Sequence, residues 1–566
     1  MTEKTEIKKE DISIVLCGQA GQGIQTVEKI LVHNLKLSGY HVFATKEYMS
    51  RVRGGMNSTE IRISSHRVSA YTDRIDILVP FHKDALSHLK SRISSSTQIL
   101  ADKGHLDVPF TELALEIGGK IYLNILAAGV LLGLFSADKS SMFDFIQKMF
   151  HQKEETIIQN NRTAAGKGYE IGKNFLKTNK LDFNLNKDPK TKDEILVNGA
   201  EAVGLGALGG GCDFLSSYPM SPSTGVMVFL AHQTENFDIV VEQAEDEICA
   251  INMALGASYA GARAMVTTSG GGFALMTEGV SLAGMIETPI VIHVAQRPGP
   301  ATGLPTRTEQ ADLELVLYSG QGEFPRIILA PGSLDDAFYL TQKAFNLADK
   351  FQVPVFILTD QYFVDSAYNT PPFDLDRIKL EQHIVKTTKD YRRYSLTDSG
   401  ISPRGIPGFG DGLVGVDSDE HDEDAHITEN LEIRTKMVDK RLKKLDAIKE
   451  ETIPPILVGP EDYRFLVLGW GSSFPMIQEA LSKMGRNDMA LLHFIQIFPL
   501  SDKLPEYLKK AEKIILVEGN ATGQFGKLIK LYAGIEIDEK ILKYNGMPFS
   551  VEEIIEKIQV CLGSES

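Results

Sequence analysis

The run VVEQAEDEICAINMALGASYAGARAMVTTSGGG, which begins at Val240, sets four carboxylates, Glu242, Glu245, Asp246 and Glu247, ahead of a stretch almost free of charge. Its texture is that of a helix rich in Ala and Gly, a short β-branched strand and a glycine cluster. Side chains this small let other backbone or a flat ring approach closely. A carboxylate at the edge of such a dry, confined unit has its pKa shifted and its hydrogen bonds strengthened, which suits it to hold or move a proton. Acids also gather at helix amino termini, where negative charge is favoured by ~0.3–1 kcal/mol. That simpler account covers Glu242, Glu245 and Asp246; Glu247, nearest the apolar helix, is the candidate for chemistry.

The elements that must position it belong to an α/β chain of several domains, since 566 residues are too many for one core. A hydrophobic share of 43% and a charged share of 24% describe an ordinary soluble protein, and a net charge of −16 argues against general nucleic-acid binding. No apolar run reaches membrane-spanning length; IYLNILAAGVLLGLF reads as a buried helix. The polar start MTEKTEIKKEDIS has no secretion signal, and Cys17, Cys212, Cys249 and Cys561 stand far apart, so a reducing cytoplasm fits. Texture divides the chain into an α/β region at 1–178, a linker at 179–194, a second α/β region at 195–372, an irregular charged segment at 373–452 and a third α/β unit at 453–566. Strands alternating with helices imply parallel sheets, with ligands at the carboxyl ends of the strands. Near the start, Gly18, Gly21 and Gly23 of GQAGQG follow a strand and open a helix, but not at dinucleotide-binding spacing. A tight turn and an anion site are both compatible with them.

YPMSPST at Tyr218, EQAEDEICAINMALGASYAGARA, TTSGGGFALMTEG and AQRPGPATGLPTRTEQADLE together resemble the alpha subunit of 2-oxoacid:ferredoxin oxidoreductases. The preceding CGQAGQGIQTVEKIL and YMSRVRGGMNSTEIRIS resemble that family's gamma subunit, so nearly the whole chain is similar to a gamma-alpha fused large subunit. The resemblance implies a gamma-type domain, a pyrimidine-binding thiamine diphosphate domain and a transketolase carboxy-terminal-like domain. It implies an alpha-beta dimer, or a dimer of dimers, that uses a 2-oxoacid, coenzyme A and ferredoxin. In thiamine enzymes a glutamate hydrogen-bonds the aminopyrimidine and favours its imino tautomer, and family matching gives Glu247 this role. Tyr218, Pro219 and Gly271 are implied at the cofactor, Ser221, Arg297 and Thr306 at the substrate, and Arg307 at a distal carboxylate. Prolines hold the hydroxyls of YPMSPST at low entropic cost, and a guanidinium such as Arg297 grips a carboxylate in bidentate fashion. Ser221 stands where the family usually has Thr, so the hydroxyl is kept and a methyl contact is lost. Thr302 lies in the same loop, while Arg51 and Arg53 of RVRGG would supply positive charge in a coenzyme A environment.

Other signals do not survive inspection. Gly410, Asp411 and Gly412 imitate a diphosphate-Mg²⁺ turn, but no strand precedes them and no later Asn is placed to match. His421 and His426 stand among acids in an irregular segment and read as a solvated loop. VEGNATGQFGKLI, near Glu518, follows a strand and opens a helix, in a domain whose role in the family is mainly assembly. Mg²⁺ and a [4Fe-4S] cluster are therefore expected in a beta subunit, with 2-oxoglutarate as first-choice substrate ahead of pyruvate and branched-chain acids. Two other readings remain: a thiamine decarboxylase or transketolase component without ferredoxin, and a non-catalytic assembly subunit. A four-iron cluster needs thiolates brought around one site, usually from closely spaced pairs. The chain purified alone should accordingly be colourless and inactive. Stoichiometric iron and sulfide, or tight thiamine diphosphate binding by calorimetry, would contradict this division of labour.

Overall fold

The apolar run DISIVLCGQ forms the strand Asp11–Gln19, buried along nearly all its length. The computed structural model describes residues 10–50, 55–178, 183–537 and 539–563. It divides into one unit of Met1–Val197 with Asp365–Pro372 and a second of Asn198–Val364 with Phe373–Ser566. In the first unit Asp11–Gln19 lies between Met56–Ser64, antiparallel, and Ile77–Pro80, parallel, in an eight-stranded sheet. The α/β class holds, but this sheet is mixed where a parallel one is expected. His41–Glu47 runs antiparallel to Met56–Ser64 because residues 48–55 are too few for the crossover that a parallel pair needs. Residues Asp365–Pro372, which end the 195–372 region in the sequence reading, supply the strand Ala367–Thr370 to this same sheet.

The most apolar run becomes the helix Leu123–Leu134, buried from Ile125 onward. Its glycines explain its surroundings: a Cβ at Gly129 would lie 2.3 Å from the Ala165 carbonyl oxygen. One at Gly172 would lie 2.1 Å from that of Val130, so this helix and Glu155–Lys177 touch backbone to backbone. Among the described residues no single helix is long and apolar enough to cross a membrane.

The second unit holds two sheets over one continuous apolar core. In the seven-stranded sheet the spatial order is Gln496–Phe498, Ile327–Leu329, Pro354–Asp360, Ile290–Gln296, Ala264–Thr268, Phe214–Ser217 and Val240–Gln243. All of its pairs are parallel except the first. The five-stranded sheet centres on Phe465–Trp470, flanked in parallel by Met489–Phe494 and Lys513–Glu518.

Residues 373–430 are irregular, as their composition implies, and the helix Leu431–Glu450 follows. The segment is nonetheless tied to the core at residues 286–287. The Tyr394 hydroxyl donates to the Ile286 carbonyl at 3.2 Å and Arg393 to that of Glu287 at 2.7 Å. Lys440 and Lys444 reach the Glu287 carboxylate at 2.6 and 2.5 Å, with each of the three side chains 1% exposed. His421, read as part of a solvated loop, is instead fully buried against Tyr394 with ring centroids 4.0 Å apart; His426 stays exposed. An imidazole supplies an apolar face that a tyrosine ring can cover, which an acidic neighbourhood in sequence does not reveal. Asp422, Asp424 and His426 bring ligand atoms within 4.8 Å of one another on this largely exposed loop, a grouping that acidic surfaces commonly form without an ion. Gly410, at φ 123°, sits in a turn whose Asp411 N–H donates to the Thr387 carbonyl at 2.9 Å.

Burial alone would raise the Glu287 pKa, but Lys444, Lys440 and Arg393 outweigh it and hold the carboxyl below the usual range. A depressed folded value means that the stability from this group is present above the unfolded pKa of ~4.3 and is lost as pH falls towards the folded one. Glu287→Gln strands two buried ammonium groups and should cost about 3–5 kcal/mol at neutral pH by chemical denaturation. It should also remove this contribution to acid sensitivity, and a variant as stable as the parent would show that the cluster carries no net weight.

Candidate functional site

Four neighbouring strands of the seven-stranded sheet end at one edge, and the loop after each carries residues singled out from the sequence. Tyr218 follows Phe214–Ser217, Glu247 follows Val240–Gln243, Gly271 follows Ala264–Thr268, and Arg297 follows Ile290–Gln296. The chain passes from Phe214–Ser217 outward to Val240–Gln243 and then returns to the opposite side with Ala264–Thr268, so a topological switch point lies within the group. Parallel sheets bind ligands at such a place.

Glu242 lies in the strand itself, not at a helix terminus. Asp246 caps the helix Glu247–Tyr259, its carboxylate accepting from the Cys249 N–H at 2.7 Å. With the capping position filled, Glu247 as the first helical residue turns inward and is 3% exposed. Its Oε1 is buried and has no hydrogen-bond partner. Burial raises its pKa, Asp246 adds to the rise, and its own backbone N–H and Arg297 oppose it. Gly272 makes room for this carboxylate: a Cβ there would meet Thr268 Oγ1 at 2.3 Å and Glu247 Oε1 at 2.6 Å.

Arg297 is 8% exposed, and its Nη1 donates to the Ser221 carbonyl oxygen at 2.6 Å, which joins the YPMSPST loop to the arginine loop. The Ser221 side chain is itself exposed. Burial lowers the Arg297 pKa, whereas Asp312 and Glu247 favour its charge. Asp312 was not singled out from the sequence. It stands at the N-cap position of Leu313–Tyr318 without capping it, and its Oδ2 is buried and unpartnered. Burial pushes its carboxyl up to about 6 against the pull of Arg297, and a Cβ at Gly270 would sit 2.2 Å from Oδ2. Glu309 is pushed up to about 7 by burial and by Asp312. One guanidinium thus stands in the field of two buried carboxyls.

The remaining residues are more open. Tyr218 is 39% exposed, Pro219 is half-buried, and Gly271 and Thr302 are exposed. Thr306 and Arg307 are half-buried; Arg307 Nη1 lies 3.2 Å from Met547 Sδ, beside Gly546. In the first unit Gly21 and Gly23 take positive φ of 88° and 73°, Gly23 serving as N-cap of Ile24–Leu37. Arg51 and Arg53 lie outside the described residues. Cys17 and Cys212 are buried, and burial pushes the Cys17 thiol up to about 12. Cys249 is half-buried, its Sγ 3.6 Å from Met253 Sδ one turn on.

Residues 205–440 match the family described as pyruvate flavodoxin/ferredoxin oxidoreductase, thiamine diphosphate-binding, and residues 13–171 match pyruvate ferredoxin/flavodoxin oxidoreductase. A 2-oxoacid:ferredoxin oxidoreductase subunit alpha from Sulfolobus is 33% identical over 97% of this chain and 96% of its own. The chain belongs to this alpha-subunit family. It is therefore an oxidoreductase component with a thiamine diphosphate-binding domain, from a family of multi-subunit enzymes. It is also 27% identical to a 2-oxoglutarate oxidoreductase subunit KorA from Mycobacterium tuberculosis over 98% of this chain and 92% of that one. A solved 2-oxoglutarate:ferredoxin oxidoreductase from Magnetococcus marinus superposes with a TM-score of 0.91, covering 98% of this chain and all of that one at 27% identity.

The fit between Gly272 and Glu247 is directly testable. Gly272→Ala forces the carboxylate aside, and misplacement near 1 Å costs up to about 100-fold in rate. Gly256→Ala, on the exposed side of the helix that Glu247 begins, meets nothing within 4 Å and leaves Glu247 in place. Turnover of the assembled enzyme should therefore fall far more for Gly272→Ala, and equal losses would show that displacement of Glu247 is not the cause.

Proposed function

We propose that this chain is the alpha subunit of a 2-oxoglutarate:ferredoxin oxidoreductase, which converts 2-oxoglutarate, coenzyme A and oxidised ferredoxin into succinyl-coenzyme A, carbon dioxide and reduced ferredoxin. The observation that carries the reading is the unpartnered Oε1 of Glu247, buried beside Gly272 and in the field of Arg297. A buried carboxylate oxygen with no partner is a costly arrangement, and a ring nitrogen arriving from a ligand would relieve it. Bound thiamine diphosphate supplies a carbon nucleophile and an electron sink for decarboxylation. Burial raises the Glu247 pKa, which suits Oε1 to share a proton with the aminopyrimidine. Tyr218, Pro219 and Gly271 form the walls on this reading.

Arg297, fixed by the Ser221 carbonyl, takes the 2-oxoacid carboxylate with Thr306 and Ser221, and Arg307 takes the distal carboxylate. The choice of 2-oxoglutarate draws support from the Magnetococcus enzyme, whose structure holds 2-oxoglutarate, coenzyme A and succinyl-coenzyme A, and from the KorA relative. A beta subunit brings Mg²⁺, the diphosphate grip and the [4Fe-4S] cluster. Exposed apolar side chains beside the site, Ile248 at 48%, Leu275 at 51% and Leu304 at 50%, are consistent with cover by a second chain.

Glu247→Gln keeps size and removes the titratable proton, so turnover of the assembled complex should fall by at least ~100-fold with the fold intact. In a panel of 2-oxoacids, Arg297→Ala should weaken use of all of them, while Arg307→Ala should hurt 2-oxoglutarate more than pyruvate. Near-normal turnover of the Glu247 variant removes the catalytic assignment, and equal losses for the two acids on changing Arg307 remove the substrate assignment.

A further inference from the structure

We propose that Gln310 is a positioning residue through which the carboxy-terminal sheet sets the shape of the loop carrying Thr306 and Arg307, and so sets the affinity for the 2-oxoacid. The proposal rests on the reading of that loop as the substrate loop. Between the strand end at Gln296 and the helix start at Leu313 the chain has no regular element, so its conformation depends on tertiary ties. Its two ends are held from its own sheet: Arg297 by the Ser221 carbonyl at 2.6 Å, and the Asp312 N–H by Gln296 Oε1 at 3.0 Å. Its middle is held from the last hundred residues of the chain.

Gln310, 4% exposed, makes that attachment with both backbone and side chain. Its N–H donates to the Gly519 carbonyl at 2.6 Å, and the Gly519 N–H donates back to its Oε1 at 2.9 Å. Its Nε2 donates to the Trp470 carbonyl at 2.9 Å, and its own carbonyl accepts from Asn520 Nδ2 at 2.9 Å. Two residues earlier, the Thr308 N–H donates to the Gly546 carbonyl at 3.1 Å.

The surface that receives Gln310 is itself rigid. Asn520 Nδ2 also donates to Glu518 at 2.7 Å, while its Oδ1 accepts from the Gly523 N–H at 2.8 Å. Glu518 is fully buried and accepts from the Phe525 N–H at 2.9 Å and from the Trp470 indole at 3.3 Å. Gly519 permits the close approach: a Cβ there would stand 3.1 Å from Gln310 Oε1. The glutamine is therefore held in one place by groups that cannot shift singly, and that place is three residues from Arg307. Precise placement of a substrate-gripping loop is worth large factors in rate and affinity, which a rigid neighbour provides and a free loop does not.

The test uses the complex assembled with its partner subunit, comparing KM and kcat for 2-oxoglutarate together with thermal stability. Gln310→Ala should raise KM by ~10-fold or more with a much smaller change in kcat. Gln310→Glu keeps an acceptor for the Gly519 N–H but loses the donor to Trp470, and should fall between. Gly519→Ala leaves every hydrogen-bonding group in place and displaces Gln310 by tenths of an ångström, so it should raise KM even if Gln310→Ala fails to assemble. Leu508→Ala, in the carboxy-terminal core away from the loop and 2% exposed in the parent, should lower the melting temperature and leave KM alone. A Gln310→Ala enzyme that behaves like Leu508→Ala, less stable with parental KM, overturns the proposal. So does parental KM in Gly519→Ala. If Arg297→Ala also leaves KM unaltered, the reading of the substrate loop falls and the clasp with it; a raised KM there with parental values for both Gln310 and Gly519 variants overturns the clasp alone.

Discussion

A carboxylate oxygen buried without a hydrogen-bond partner is the constraint around which the second unit is organised. Glu247 Oε1 is in that state, and the cost of such a group, ~1–3 kcal/mol or more for a charged one, has to be carried by the surrounding structure. Three features share it. Asp246 takes the capping duty that would otherwise draw Glu247 outward. Gly272 removes a side chain that would collide with the carboxylate. Arg297 supplies a positive field from the loop after Ile290–Gln296. Asp246 stabilises its helix whatever follows it, but a glycine at 272 and a buried guanidinium in the field of Glu247 add nothing to a core, which is why the arrangement reads as a site.

The sheet makes this possible by bringing together loops that are far apart in sequence. Tyr218, Glu247, Gly271 and Arg297 follow consecutive strands in space, and the parallel order fixes them at one edge. A strand run such as IVIHVAQ, buried at every position, suits the interior of a parallel sheet, where it pairs in parallel on both sides, and its carboxyl end delivers the next residue, Arg297, to that edge. The charged neighbourhood of Glu287, Lys440 and Lys444 serves the same sheet from the opposite kind of sequence. It pins a segment with few apolar residues by ionic and hydrogen-bonding contacts where hydrophobic contacts are scarce.

Much of this is legible in the sequence, and the parts that are not share a cause. Apolar runs bounded by turns identify the strands Ala264–Thr268, Ile290–Gln296 and Pro354–Asp360, and the small-residue pattern after Glu247 identifies the helix Glu247–Tyr259. Local texture does not say which sheet a strand joins. Ala367–Thr370 follows the second region in sequence and pairs in the first, and the mixed order of the first sheet depends on a short connection, not on residue type. Local texture also misreads residues whose role is set by distant partners. Asp312 looks like an ordinary helix cap and caps nothing; His421 looks like a member of an acidic loop and packs on Tyr394; Gln310 has no distinguishing neighbour at all.

These residues together indicate how the loop from Arg297 to Asp312 is held. The loop from Arg297 to Asp312 is rich in glycine, proline and hydroxyl side chains, which gives it access to a ligand but no conformation of its own. Two cis peptide bonds, Ser221–Pro222 and Gly299–Pro300, lie beside the Arg297 contact to Ser221. A loop of this kind becomes a binding surface only when something outside it removes the alternatives, and loss of backbone freedom at about 1–2 kcal/mol per residue is too large for the Arg297 bond alone to offset. The carboxy-terminal sheet is the element that supplies the remaining contacts, at Trp470, Gly519, Asn520 and Gly546. The carboxy-terminal domain therefore bears on the proposed site, because the loop it steadies carries Thr306 and Arg307, the residues proposed to meet the substrate.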